Sequence, residues 1–166
     1  EAYGVPIKIE TALTTTAAPI SQTNVLLGLI VVASSYQGAH TPNLLTDGDK
    51  TGKDKMWTAS DVSESFRINL TDSIRITQVR VTNRCSTFPE RLTDAIVLVG
   101  DTESGVETQC GSAIPSTAAC SDAVLNCSIE GDYIVFHGPE TPHVAVTEIE
   151  AYGVPIKIET ALTTTA

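Results

Sequence analysis

The chain has 166 residues, with 20 acidic against 10 basic side chains, a formal charge of −10 and a pI near 4.6. That length fits one domain with a hydrophobic core of its own. The acidity excludes duplex nucleic acid, which needs a lysine and arginine footprint, and argues against an anionic membrane surface.

The first feature in chain order is a duplication. Glu1–Ala17 and Glu150–Ala166 are identical, EAYGVPIKIETALTTTA, so the period is 149 residues. A period that long fits a whole domain rather than a solenoid unit. The chain therefore reads as a window on an array of near-identical domains. Residues 1–4 end the preceding repeat, 5–23 form a Thr-rich linker or strand, 24–153 form the folded unit, and 154–166 begin the next linker. The second copy contains Glu150, Lys157 and Glu159, so one repeat carries −9. Within the linker, Ile7, Ile9 and Thr11 alternate with Lys8, Glu10 and Ala12 in strand period. Thr14, Thr15 and Thr16 (repeated as Thr163, Thr164 and Thr165) give the composition of an O-glycosylated spacer. A plain solvated linker and a strand added to a neighbouring sheet edge remain open beside it.

The apolar run Val25–Ala33 reads as a buried strand, and at nine residues it is too short to span a bilayer. No basic segment precedes it as in a signal peptide. Asp47-Gly48 marks a turn. Phe66, Ile68 and Leu70 alternate with polar residues. Ile74 and Ile76 alternate too, then Val79 and Val81 continue in shifted phase, which predicts a bulge. Ala95–Val99, Tyr133–Phe136 and Val144–Ile149 are further strands. No helical stripe lasts three turns, and the pattern as a whole predicts an all-β sandwich. Cys85, Cys110, Cys120 and Cys127 lack CxxC spacing. With sequons at Asn69 and Asn126 and the threonine tracts, they point to a secreted, oxidised, glycosylated protein. His40, His137 and His143 fall in no catalytic motif, so no enzyme is expected.

Four segments together resemble an F-type lectin (fucolectin) domain. They are Asn24-Val25-Leu26 leading to Ala33-Ser34-Ser35-Tyr36; Leu45-Thr46-Asp47-Gly48-Asp49; Val79–Arg84 with Glu90–Ala95; and Val146–Gly153. The Cys127 and Gly131-Asp132-Tyr133 context is also similar. The resemblance implies an eight-stranded jelly-roll-like β-sandwich and a fucose site built from a histidine and two arginines. Arg84 and Arg91 stand at both arginine positions. Ser86 stands where the family has aspartate, Trp57 where it has the histidine, and Thr87-Phe88 where it has vicinal cysteines. Trp57 either stacks on a sugar or fills the pocket, and the two arginines either bind ligand or pair with Glu90, Asp94 or a neighbouring repeat.

The resemblance also implies structural calcium, held by Asp47, Asp49 and Glu148 with the carbonyls of Leu44 and Thr147. Asp54 is a further candidate, and a solvated acidic turn is the alternative. Calcium takes six to eight oxygens, and Glu148, in phase with Val144 and Val146, is a carboxylate on an apolar face that needs a partner. A Cys110–Cys127 bridge is implied as well, leaving Cys85 and Cys120 as the other pair among three possible connectivities. Two functions are expected from these features. One is a non-enzymatic structural repeat of an extracellular glycosylated fibre, packed head-to-tail against identical neighbours. The other is a calcium-dependent multivalent lectin for fucosylated glycans.

Overall fold

The computed structural model describes residues 23–51, 57–59, 63–140 and 142–156. Among them are seven strands: β1 (Val31–Ala33), β2 (Trp57–Ala59), β3 (Ser65–Asn83), β4 (Ile96–Gly100), β5 (Glu107–Gln109), β6 (Asp122–His137) and β7 (Val144–Pro155). The helical content described is two short 3-10 turns, Pro42–Leu45 and Pro89–Leu92.

The frame is a long antiparallel ribbon of β3 and β6. Its far half, Ile74–Thr82 against Asp122–Gly131, is extended by β7 and then β2. Its near half, Ser65–Asn69 against Tyr133–His137, is flanked by β1 on one side and by β4 and β5 on the other. Between the halves, Leu70–Ser73 oppose only Asp132, and the pairing resumes at Ile74 and Gly131. The surplus residues bend the ribbon. Gly131 lies in this bend, where a Cβ would collide with the carbonyl oxygen of Gly100.

The bend doubles the ribbon over. His137 pairs with Ser65 at one end of the ladder and Val146 lies opposite Asn83 at the other, yet only residues 138–143 separate β6 from β7. Trp57, paired with Val146, reaches across to the rings of Phe66 and Phe136. The result is an all-β sandwich with layers of four and five strands. The resemblance implies eight strands; seven are described, and because β3 and β6 each run through both layers they fill nine strand positions.

Strand phase follows the sequence closely in β3. Phe66, Ile68, Ile74, Ile76, Val79 and Val81 are all buried, and the register shifts between Ile76 and Gln78, at the expected slip. The run Val25–Ala33 does not behave as one buried strand. Residues 25–28 form a turn with Gly28 at φ +74°, and only Val31–Ala33 pair with β3. Leu26 is buried, while Ile30 and Val32 are 77% and 64% exposed. Asn24 explains the turn: its Oδ1 accepts from the backbone N–H groups of Leu26 and Ala151, which docks the segment on β7 before it can extend.

Two disulfides cross-link the loops, Cys85–Cys120 and Cys110–Cys127. Cys110–Cys127 is the bridge the resemblance implies, and Cys85–Cys120 is the pair that then remains. They span 35 and 17 residues, and cross-links over such loops contribute about 3–4 kcal/mol each by restricting the unfolded chain. Asn69 and Asn126 are both exposed. Thr14–Thr16, Thr163–Thr165, Asp54 and both linker segments up to residue 22 and from residue 157 lie outside the described residues.

Candidate functional site

Doubling the ribbon collects Ser34-Ser35, Arg84–Ala95, Ile114–Ser121 and Gly138-Pro139 at one end of the sandwich. Arg84–Ala95 is held there from several directions. Asn83, fully buried, donates from Nδ2 to the carbonyls of Pro89 (2.8 Å) and Thr117 (3.1 Å) and to Thr117 Oγ1 (3.0 Å). Its Oδ1 accepts from the Arg84 N–H at 2.8 Å. The Cys85–Cys120 bridge ties the same two loops, and Leu92 is buried in the core. Sequence reasoning saw Asn83 only as part of a motif. Its fourfold role depends on residues 117–118, far away in the chain, and leaves no local signal.

On this clamped loop the two arginines are neighbours and both are half-exposed. Arg84 Nε donates to Ser86 Oγ at 2.8 Å. Arg91 holds its guanidinium carbon 4.5 Å from the centroid of Phe88, whose ring is 51% exposed. Phe88 sits in the left-handed region, φ +69°, where a bulky side chain is strained and which occurs often at functional sites. Burial and then the neighbouring Arg91 charge lower the Arg84 pKa, against the pull of Glu90. Among the described residues, neither guanidinium forms an ion pair with a carboxylate. Beside them, Glu90, Thr93, Asp94, His137 and Glu140 line an open cleft of about 590 Å³.

Trp57 is not a sugar platform. It is 0% exposed, meets Phe66 and Phe136 edge-on at 5.2 and 6.2 Å, and donates Nε1–H to the Ser35 carbonyl at 2.8 Å. Of the two roles left open from sequence, it fills the interior. The neighbouring Ser34 and Ser35 hydroxyls donate to the buried carboxylate of Glu64, a pairing the sequence did not signal.

The acidic turn lies against β7. Gly48, at φ +82°, donates its N–H to Glu148 Oε1 at 3.2 Å. Glu148 is 0% exposed, and its Oε2 has no hydrogen-bond partner. Burial, with the nearby Asp47 carboxylate adding to it, pushes its pKa up to about 8. Asp47 Oδ1 caps the turn by accepting from the Asp49 N–H, and Asp49 accepts from Thr51. Thr147 is buried with its hydroxyl donating to the Asn83 carbonyl, and Leu44 is half-buried. Lys50 reaches past this turn to Asp122 (2.9 Å) and Glu150 (2.6 Å). Among the described residues, no group of three or more His, Cys, Asp or Glu side chains is gathered for a metal. A buried, unpartnered carboxylate oxygen beside a second carboxylate and a turn rich in carbonyls nonetheless suits a hard cation.

Three solved structures show where this architecture recurs. A fucolectin from striped bass (Morone saxatilis) serum superimposes with a TM-score of 0.72 at 21% identity, over 83% of this chain and 50% of that one. The lectin domain of Lectinolysin complexed with Lewis B antigen gives 0.71 at 14% identity, over 81% and 99%. A fucose-binding module of Streptococcus pneumoniae gives 0.70 at 17%, over 79% and 95%. The fold is an F-type-lectin-like β-sandwich. No family profile and no curated protein sequence matches the chain.

Proposed function

We propose that this domain is a non-catalytic carbohydrate-binding module whose glycan site is the loop end carrying Arg84, Arg91 and Phe88. The observation that carries it is the pair of adjacent, half-exposed guanidiniums on a loop fixed by Asn83 and a disulfide. Guanidinium forks donate to sugar oxygens, and the exposed Phe88 ring offers the apolar face that a buried Trp57 cannot. The fucose-binding module and the Lewis B complex that share this fold support the ligand class. Titration of L-fucose and fucosylated oligosaccharides into the chain tests it. Arg84→Ala or Arg91→Ala should weaken binding at least ~tenfold, as loss of a charge-assisted hydrogen bond does. No heat or spectral change with any neutral or charged saccharide at millimolar concentration would remove the proposal.

Calcium belongs to the same proposal as a structural ion. Glu148 and Asp47 would hold it, with Asp49, Asp54 and the carbonyls of Leu44 and Thr147 as further donors. The ion would supply the partner that Glu148 Oε2 lacks.

A second reading concerns the assembly, and the 17-residue identity of the two ends favours it. Identical repeats joined head-to-tail give an open filament, because one contact serves every junction. The exposed edge of β1, with Ile30 and Val32 facing solvent, suits an added strand with the Ile7/Ile9 or Ile156/Ile158 alternation. Such an array would be extracellular and glycosylated at Asn69, Asn126 and the threonine tracts. It would also multiply weak glycan sites into avidity. Electron micrographs of the native material should show a constant axial spacing, and peptide mass spectrometry of it should show the glycans. Isolated, irregular beads would count against the fibre.

A further inference from the structure

The residues around the arginine pair narrow the ligand further. Two guanidiniums set side by side in a half-buried loop repel one another, and burial weakens their hydration. Proteins relieve such a pair with a carboxylate, yet the described surroundings supply none in contact. Ser86, which receives the Arg84 Nε–H, is neutral. Glu90 acts on Arg84 only at a distance, and its side chain lines the neighbouring cleft. Both guanidiniums therefore keep donors available to a ligand, with only the longer-range pull of Glu90 against their charge. Phe88, strained and exposed beside them, contributes an apolar face of sugar-ring size.

Resting on the carbohydrate-binding proposal, we infer that this site selects an acidic saccharide, a uronic acid or a sulfated sugar, over a neutral one: the Arg84–Arg91 pair takes the carboxylate or sulfate, and Phe88 packs on the ring. A planar fork binds such an anion bidentately, which a neutral hydroxyl cannot match. The chain's net charge of −10 opposes the approach of an anion, but that repulsion is screened beyond about 8–10 Å, whereas the pair acts in contact.

The test compares D-galacturonate with D-galactose, which share a ring and differ in the carboxylate, using calorimetric titration of the whole chain with L-fucose and inorganic sulfate as further probes. Galacturonate should bind at least ~tenfold more tightly than galactose, the difference expected for one charge-assisted contact. Arg84→Lys and Arg91→Lys keep the charge and lose the fork, so each should remove most of that preference. Arg75→Gln, at the ribbon's bend and paired with Glu130, should leave it unchanged. NMR shifts of the arginine Nε–H signals on adding galacturonate to the unaltered chain give the same answer should a variant misfold. If galactose or fucose binds as tightly as galacturonate, the charge selection is wrong and the carbohydrate site stands. If sulfate alone matches galacturonate and neutral sugars do nothing, the pair is a bare anion site and the inference falls. If no saccharide binds, the carbohydrate proposal falls with it.

Discussion

Trp57→Ala is expected to cost about 3–5 kcal/mol of stability, the range for deleting a fully buried aromatic ring. Trp57 joins the two layers at this end: it is paired with Val146 in one and packed edge-on against Phe66 and Phe136 in the other. Removing it opens a void between β2 and the stacked Phe66–Phe136 pair and leaves the Ser35 carbonyl without its donor. Trp57→Phe keeps most of the volume and loses the Nε1–H bond, so it should cost less, about 1–2 kcal/mol. Denaturant unfolding measures both. The Phe variant also separates structure from binding, since its saccharide affinity should equal that of the unaltered chain. A large loss of affinity in a stably folded Trp57→Phe variant would restore Trp57 to the ligand site.

Calcium chelation should make stability depend on pH in an unusual direction. The folded Glu148 pKa, about 8, lies above its ordinary 4.5. Between these values the folded state binds a proton that the unfolded chain has lost, so stability falls as pH rises, by up to about 1.4 kcal/mol per pH unit. Below pH 4.5 both states are protonated and the contribution is flat. Above pH 8 both are ionised and it is flat again, at its least favourable. A bound cation takes the place of the proton, so saturating calcium should abolish the slope and raise the Tm at pH 8. Glu148→Gln removes the ionisable group while keeping an acceptor for the Gly48 N–H. In chelator at pH 8 it should melt above the unaltered chain, and calcium should no longer raise its Tm. An unaltered chain whose Tm at pH 8 ignores both EDTA and calcium would rule out a structural ion at this turn.

Much of this architecture is visible in local pattern. The Ile76/Val79 phase slip marks the bulge because a strand face has period two, and any odd step must be absorbed by the ladder. The burial of Glu148 follows from its phase with Val144 and Val146. The Asp47-Gly48 turn follows from residue type alone. What pattern could not supply was tertiary. Nine apolar residues from Val25 cannot reveal that Asn24 will dock on Ala151 and turn the chain. A lone tryptophan where the resembled family has a histidine cannot reveal which side of the layer it faces. Nor could Asn83 announce partners more than 30 residues away. At the candidate site the arginines were legible, since their spacing is that of the resembled family. Their missing counter-charge was not, because it depends on what the folded loops bring within reach.

The order of the strands has a consequence for synthesis. β7 is the last of the described strands, yet it lies between β2 and β3 in the sheet. A chain emerging from the ribosome cannot close its four-stranded layer until Val144–Pro155 arrives. Until then Trp57, Val79 and Val81 lack a neighbour, and pairings of such long sequence separation form slowly. Glu1–Pro6 repeats the sequence of Glu150–Pro155, so the outer half of β7 is not unique in the chain. Val144–Ile149, the fully buried half of β7 that continues into Glu150–Pro155, pairs with β2 and carries Glu148. Val144–Ile149 is thus the part of β7 through which the closing strand reaches both β2 and the core.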